Sequence, residues 1–472
     1  MISIAICVIL YGMAVKSISR ALEHLLPPGT VEAPVPTSYL ADRTEGHGLR
    51  GRADALARPT SAAEVAAVVA WCYDHDVPIV ARGGGTGYSG GAVPMGGVVL
   101  SLERLTRIRA FDPLLWRIHV EAGVTTADLR RLARENGLLF PPDPGGAEQS
   151  QIGGNIATNA GGPHAFKYGV TGTWVMGLEA VVPPGELVRV GGPIRKDVAG
   201  YDLKSLLIGS EGTLGVITAA WLRLVPAPET QLPVAGFYAD VAGGCAAIER
   251  VLGAGLAVAA LEYLDGAAVA LTARTFPADV PGRAGMLVIA EADGAVDEAA
   301  RLQRDVLEAL AEDAVAVHAP TAPADVAALW RWREGLAFAA EAVRGGKVAE
   351  DIVVPIDRLG EAIDGTLAIG ARYGLETCSW GHAGDGNIHS TFLVSPLDED
   401  ELRRADEAAG ELFDLAVRLG GSISGEHGVG WEKRGRLAAQ WAPRAVELHE
   451  EIKRAFDPKG LLNPGKKLAR LP

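Results

Sequence analysis

Apolar and polar positions along the chain change register more than once. Ser61-Ala-Ala-Glu64 opens AAEVAAVVAWCYDH, whose apolar residues recur at helical spacing. Ser followed three residues later by Glu is a capping box, which predicts a helix to about His75. A second helix is predicted for ADLRRLAREN, capped by Thr126 and stopped by Gly137. Short apolar runs such as Val77-Pro-Ile-Val-Ala81 predict buried strands, separated by long glycine loops, as far as about Pro226. The cluster PAPETQLP (226–233) then interrupts the pattern. Beyond it, predicted strands LPVAGFYA and GMLVIAEA alternate with amphipathic helices in DEAARLQRDVLEALAED, PADVAALWRWREGLAFAAEAVR and DELRRADEAAGELFDLAVRLG. That texture predicts an α+β domain with helices covering one face of a sheet.

Composition narrows the class. At 472 residues the chain exceeds one ordinary core, and two or three domains are expected. A net charge of −14 excludes a nucleic-acid partner, which needs a basic surface. The four cysteines, Cys7, Cys72, Cys245 and Cys378, include no C-x-x-C, so an iron–sulfur cluster, a zinc ribbon and a disulfide framework are disfavoured. A reducing compartment fits; the expected location is cytoplasmic, with peripheral membrane attachment left open. The N-terminal MISIAICVILYG is apolar, but it lacks preceding basic residues and falls short of the roughly 20 residues of a bilayer span. A start at Met13 explains it better than a signal peptide.

Three glycine-dense segments follow: ARGGGTGYSGG (81–91), IGGNIATNAGGPHAFKYG (152–169) and IGSEGTLGVIT (208–218). Gly85-Thr-Gly87-Tyr-Ser-Gly90 matches the dinucleotide fingerprint G-x-G-x-x-G. That fingerprint works when a helix N-terminus follows to hold the pyrophosphate. Here Gly91-Ala-Val-Pro94-Met-Gly96-Gly97 follows, which cannot open a useful helix. No G-x-x-x-x-G-K-[ST] occurs, which disfavours a P-loop. Successive glycine N–H groups can instead form an anion-binding concavity, with Thr86, Ser89, Asn155, Thr158 and Asn159 as further donors. Arg82 either adds charge or caps the preceding strand. A dinucleotide lying along all three segments, pyrophosphate in the first, satisfies them together.

In order and spacing, VPIVARGGGTGYSGG, PPDP (141–144), GGNIATNAGGPHAFKYG and GYDLKSLLIGSEGTLGVIT resemble the vanillyl-alcohol-oxidase/p-cresol-methylhydroxylase (PCMH) superfamily of FAD enzymes. The likeness is strongest to the branch of glycolate oxidase FAD subunits, cytochrome-linked D-lactate dehydrogenases and D-2-hydroxyglutarate dehydrogenases, and it covers about residues 40–470. It implies an α+β fold: a PCMH-type FAD-binding domain of two subdomains, then a C-terminal α+β, ferredoxin-like substrate or cap domain with an antiparallel sheet. The implied divisions are an extension at 1–40, the FAD domain at 41–228 and the C-terminal domain at 229–472, with about 455–472 returning to the FAD domain. The resemblance implies a diphosphate on Arg82, Gly83, Gly84, Gly85, Thr86, Gly87, Tyr88 and Ser89. Pro142, Gly153, Gly154, Asn155 and Thr158 would also meet FAD, with Asn159, Gly161 and Gly162 near the flavin. Gly212, Gly215, Val216 and Ile217 would surround the adenosine part. Asn463, in AFDPKGLLNPGK, would lie near the flavin unless that segment is a plain helix-ending turn. Covalent relatives tether the flavin through a side chain such as histidine, and the first loop offers none, so FAD is expected to be non-covalent. His164 is read as a surface histidine rather than a tether.

Two histidine-bearing stretches carry the remaining chemistry: SWGHAGDGNIHS (379–390) and SGEHGVG (424–430). His382 and His389 are helically spaced, but Gly384-Asp385-Gly386-Asn387 between them forbids a helix and predicts a turn joining strands TCSW and TFLV. With Glu426 they form a donor set for Zn²⁺, Mn²⁺ or Fe²⁺, and three ligands leave positions open, as in catalytic sites. The resemblance agrees, making His382, His389 and Glu426 ligands and His427 the base. It also matches Arg333 of WRWREG to a substrate-carboxylate arginine, with Arg331 the alternative. Relatives acting on five-carbon dicarboxylates carry a lysine just before the strand read here as VAEDIVVP. Ala349 stands there, with Lys347 close by, which favours glycolate or D-lactate over hydroxyglutarate.

The function expected is therefore FAD-dependent, metal-assisted oxidation of a small 2-hydroxy acid. Electrons must leave to a separate quinone, cytochrome, electron-transfer flavoprotein or iron–sulfur subunit, within a hetero-complex or from a homodimer. Two rivals stand beside it: a His/His/Glu metallohydrolase whose glycine loops bind a substrate phosphate, and a catalytically silent flavin-binding subunit.

Overall fold

The computed structural model describes residues 17–44 and 49–468; the apolar run at 1–12 and Met13 lie outside them. A helix over 17–25 contributes Leu22 to the first core. That core is built on β1 (Val31–Glu32), β2 (Ala55–Ala57), β3 (Ile79–Arg82) and β4 (Val98–Ser101). β2, β4 and β3 run parallel, and β1 adds antiparallel at the edge. The helix Ala62–Asp74 links β2 to β3 and buries Val65, Val68, Val69 and Cys72. Its cap follows the sequence pattern, Ser61 Oγ accepting from the Glu64 N–H at 3.3 Å. Glu64 itself reaches back to the N–H of Thr60 rather than Ser61.

A second sheet has the order β5 (Ile108–Asp112), β6 (Arg117–Glu121), β10 (Val216–Arg223), β8 (Val175–Val182) and β9 (Glu186–Gly191), all antiparallel. β7 (Leu138–Leu139) and β11 (Val225–Pro226) form a small pair. The helix Thr126–Glu135 is capped by Thr125, not Thr126; the Thr126 hydroxyl is buried against Ser150. The second glycine segment is not a loop throughout, because Ile152–Thr158 is a short helix. A Cβ on Gly153 would stand 2.6 Å from that of Ala122. Here glycine serves close packing of helix on sheet, and Asn159 at φ 55° ends the turn.

The C-terminal half holds a seven-stranded antiparallel sheet. Its strands are β12 (Thr230–Tyr238), β13 (Ala260–Asp265), β14 (Met286–Gly294), β15 (Ala316–His318), β16 (Gly346–Val353), β17 (Glu376–His382) and β18 (Asn387–Val394). Their order is β15-β12-β14-β13-β17-β18-β16. PAPETQLP is only partly a linker, since β12 begins at Thr230. Pro233 is accommodated beyond the stretch that pairs with β15, where an edge N–H is dispensable.

Both faces of this sheet carry helices, contrary to the one-face expectation. Four helices (Val241–Gly253, Val296–Ala311, Leu359–Tyr373 and Glu399–Arg418) cover the face bearing Val288, Val348 and Phe392. On the other face, Gly266–Thr272, Pro323–Glu334 and Leu336–Arg344 cover Phe237, Leu287 and Trp380. The last two are one predicted helix divided at Gly335. The register puts Glu262, His382, His389 and Asp351 on this second face. The chain then comes back to the first sheet: Leu462 bridges Ile79, and the Asn463 N–H donates to the Ile79 carbonyl at 2.7 Å. No helix among the described residues is long and apolar enough to cross a membrane.

Candidate active site

Where β3 ends, the loop 83–91 crosses between the two N-terminal sheets. A Cβ on Gly84 would overlap the Gln149 carbonyl, and Gly85, at φ +67°, sits directly on the Arg82 guanidinium. Arg82 is buried and donates to the Ser38 carbonyl at 2.8 Å, so its side chain supports the loop from beneath. Burial lowers its pKa. Over the loop lies an open cleft. Arg82 through Ser89 line it, with Gly153, Gly154, Asn155, Thr158, Gly161, Gly212, Gly215 and Ile217. Glu426 and His427 line it too, from the C-terminal half.

The histidine cluster forms at that rim. β17 and β18 are joined by a tight turn whose Gly386 adopts φ +68°. His382 pairs with Asn387 and Trp380 with His389 across the strands, which brings both imidazoles to one face with ring centroids 5.3 Å apart. Glu426 Oε1 lies 3.4 Å from Nε2 of each. One ligand atom from each of the three falls within 4.8 Å of the others. His427 stacks on His389 at 5.2 Å and faces Tyr88 of the glycine loop at 4.7 Å.

Family models match both halves: an FAD binding domain over residues 53–191 and the FAD linked oxidases C-terminal domain over 227–467. The chain belongs to the FAD-linked oxidases. It is 36% identical over 420 residues to glycolate oxidase subunit GlcD of Bacillus subtilis, covering 88% of this chain and 89% of that one. It is 35% identical to a D-lactate dehydrogenase of Anaerostipes hadrus, covering 88% and 90%. In fold alone it is similar to p-cresol methylhydroxylase, with a TM-score of 0.79 at 19% identity over 96% of each chain.

In this FAD-linked oxidase the cleft fits the cofactor its family binds, being a cradle of close-approach glycines. Five residues expected at FAD stand off the cleft wall. Pro142 is buried behind Pro144 and Gly145, which line it instead. Asn159 ends its helix and accepts from the Gly172 N–H at 2.8 Å. Gly162 packs on the Asp143 carbonyl. Val216 points into the first core, on the side of the strand opposite Ile217. Asn463 is buried, its Nδ2 donating to the carbonyls of Gly91 and Glu211, so it ties two loops together.

His164 is not a surface residue. Nδ1 lies 2.5 Å from Asp143 Oδ2, and Nε2 lies 2.8 Å from Glu291 Oε1 on the C-terminal sheet. Burial opposes its charge, but the two carboxylates outweigh it and raise its pKa well above the ordinary value. Arg331 is exposed. Arg333 is buried, with Nη2 donating to Glu262 Oε2 at 2.5 Å.

Three further carboxylates, none of them among the predicted site residues, belong to the oxidase site. Asp351, fully buried, accepts from the N–H groups of Gly425, Glu426 and His427 at 2.8, 2.5 and 2.9 Å, and from Lys433 Nζ at 2.7 Å. Burial opposes its ionisation, yet Lys433 and His427 hold it below the usual carboxylate range. Glu262 Oε1 lies 2.6 Å from His382 Nδ1. Glu211 accepts from the Val429 and Gly430 N–H groups at 3.0 and 2.6 Å. For Glu262 and Asp351 the available signal was an acid inside an apolar strand, as in ALEYLD and AEDIVV, whereas Glu211 stands within the third glycine segment.

The donors suit a divalent cation. With Nδ1 on Glu262, His382 turns Nε2 toward Glu426, the carboxylate–histidine arrangement that orients metal ligands. Burial, opposed by the charges of Glu262 and Glu426, leaves His382 pushed up to about 10. Burial takes His389 down to about 3, keeping its imidazole neutral. Glu426 is ionised, burial opposing and His382 lowering its pKa.

Proposed function

We propose that this FAD-linked oxidase oxidises a small 2-hydroxy acid of the glycolate or D-lactate type to the 2-oxo acid, with a divalent cation held by His382, His389 and Glu426. The observation carrying the proposal is that Glu426 and His427 line the FAD cleft while Glu426 also completes the three-donor cluster. A hydrolase acting on a phosphate would need no cleft lined by three separate glycine segments beside its metal. FAD supplies a two-electron acceptor and the cation a Lewis acid, able to lower an oxygen-bound proton's pKa by up to about 9 units, as for zinc-bound water.

His427 takes the proton from the substrate hydroxyl. Its Nδ1 stands 3.7 Å from Asp351 Oδ1, and its ring is held between His389 and Tyr88. A positioned base of this kind contributes typically 10²–10⁴-fold. Arg333 binds the substrate carboxylate, and its Nε has no hydrogen-bond partner in the protein. A small substrate is supported by Lys347, which lies four residues before Asp351 on the same strand face, roughly 13 Å away along the strand. FAD is held non-covalently, since loop 82–91 has no histidine and both nitrogens of His164 are engaged. The Bacillus relative is a glycolate oxidase subunit, which supports a multi-subunit assembly.

The test is anaerobic bleaching of the flavin absorbance near ~450 nm with glycolate, D-lactate, L-lactate and D-2-hydroxyglutarate. Glycolate or D-lactate should bleach the protein. Bleaching by hydroxyglutarate alone would reassign the substrate; bleaching by none would point to a silent flavin-binding subunit; a colourless protein that hydrolyses phosphate esters would overturn the proposal entirely.

A further inference from the structure

We propose that Glu262 is a positioning residue which fixes the cation site and Arg333 relative to one another, an inference that rests on the function proposed above. Glu262 stands on β13 directly opposite His382 of β17. It is fully buried, and its two oxygens serve two different partners: Oε1 meets His382 Nδ1 at 2.6 Å, and Oε2 meets Arg333 Nη2 at 2.5 Å. A carboxylate in the apolar run ALEYLD would be costly without such pairing.

Each contact has a separate consequence. Accepting from Nδ1–H turns Nε2 of His382 toward Glu426 and the proposed cation position. Holding Nη2 anchors one edge of the guanidinium and leaves the buried Nε without a partner in the protein. His389 has no comparable support, because its buried Nδ1 is unpartnered. Of the two histidines, His382 is therefore the one whose orientation is fixed from behind. A 2-hydroxy acid presents its hydroxyl and carboxylate on adjacent carbons, so the groups recognising them must keep a fixed separation. One planar carboxylate gripping both imidazole and guanidinium provides it, whereas two independent anchors would let the separation drift.

The charge-conserving variant Glu262→Asp separates position from charge, since a side chain one methylene shorter cannot reach both partners. Mn²⁺ affinity of the FAD-loaded full chain, read from the free-ion paramagnetic resonance signal, should fall about 10–100-fold, with FAD content unchanged. KM for the 2-hydroxy acid should rise at the same time. If Glu262→Asp does not fold, the double variant Glu262→Met/Arg333→Met, which removes the whole buried pair, is read by the same criterion. An Mn²⁺ affinity within about twofold of wild type would overturn the inference, whatever happens to Tm. A wild-type protein that takes up none of Mn²⁺, Zn²⁺ or Fe²⁺ would overturn the proposed function, and this inference with it; if only Zn²⁺ or Fe²⁺ is taken up, its affinity is read by the same criterion.

Discussion

Tyr88 and His427 face one another at 4.7 Å between ring centroids, joining the first glycine loop to the segment that carries Glu426 of the three-donor cluster. The pairing is braced on both sides. Ser89 Oγ donates to the His427 carbonyl at 3.0 Å, and Glu211 accepts from the backbone just beyond. From the other domain Asp351 gathers three consecutive N–H groups of the same segment. SGEHGVG is thus clamped between two domains, and the cleft and the His382–His389–Glu426 cluster share it.

His427→Ala should keep FAD and the cation while losing anaerobic bleaching by at least about 10²-fold, the contribution of a positioned base. Stopped-flow absorbance with saturating substrate measures it. A variant that reduces at the wild-type rate would place the base elsewhere.

Removing the cation with a chelator should abolish bleaching without releasing flavin, and Zn²⁺, Mn²⁺ or Fe²⁺ should restore it. Because His382 lies near 10 in the metal-free cluster, its Nε2 is protonated at pH 7 and the cation must displace that proton. Affinity should then rise about tenfold per pH unit below that value. Calorimetric titration in buffers of different ionisation heat should count about one proton released; none would contradict the assignment of His382 as a ligand.

The Asp143–His164–Glu291 bridge makes stability pH-dependent in a definite direction. The folded pKa of His164 is raised, so its contribution is complete below the unfolded value of about 6.5 and disappears as pH rises through the folded value. His164→Gln should cost about 3–5 kcal/mol near pH 6, and the difference should shrink at alkaline pH. Denaturation curves from pH 6 to 10 measure it, and a constant gap would refute the linkage.

A Cβ added to Gly161 would lie 2.7 Å from Glu426 Oε2. Gly161→Ala should therefore displace the Glu426 carboxylate and weaken Mn²⁺ binding about tenfold or more, on the scale of disturbed ligand support, while the remaining cleft still retains FAD. Equilibrium dialysis for metal beside the flavin spectrum distinguishes this from general misfolding, which would lose both.

What the amino-acid order determined by itself was local: the glycine loop that no helix follows, the Ser61 cap, and a hairpin with a histidine at either end. Such features need only neighbouring residues, because a backbone that must turn or approach closely selects glycine wherever it occurs. The helix at Ile152–Thr158 was hidden by that same logic, since its glycines serve packing on Ala122 and look like loop residues in sequence. Only the tertiary structure decided which carboxylates matter. Glu262 meets His382 because β13 and β17 are neighbours in the seven-stranded sheet, and Asp351 meets the Glu426 segment because Ser422 bridges Val353 at the end of β16. The same is true of His164, whose polar partners arrive from remote elements. A buried charge persists only where its counter-charge is delivered, and that delivery is set by strand pairing over long separations, which no local pattern encodes.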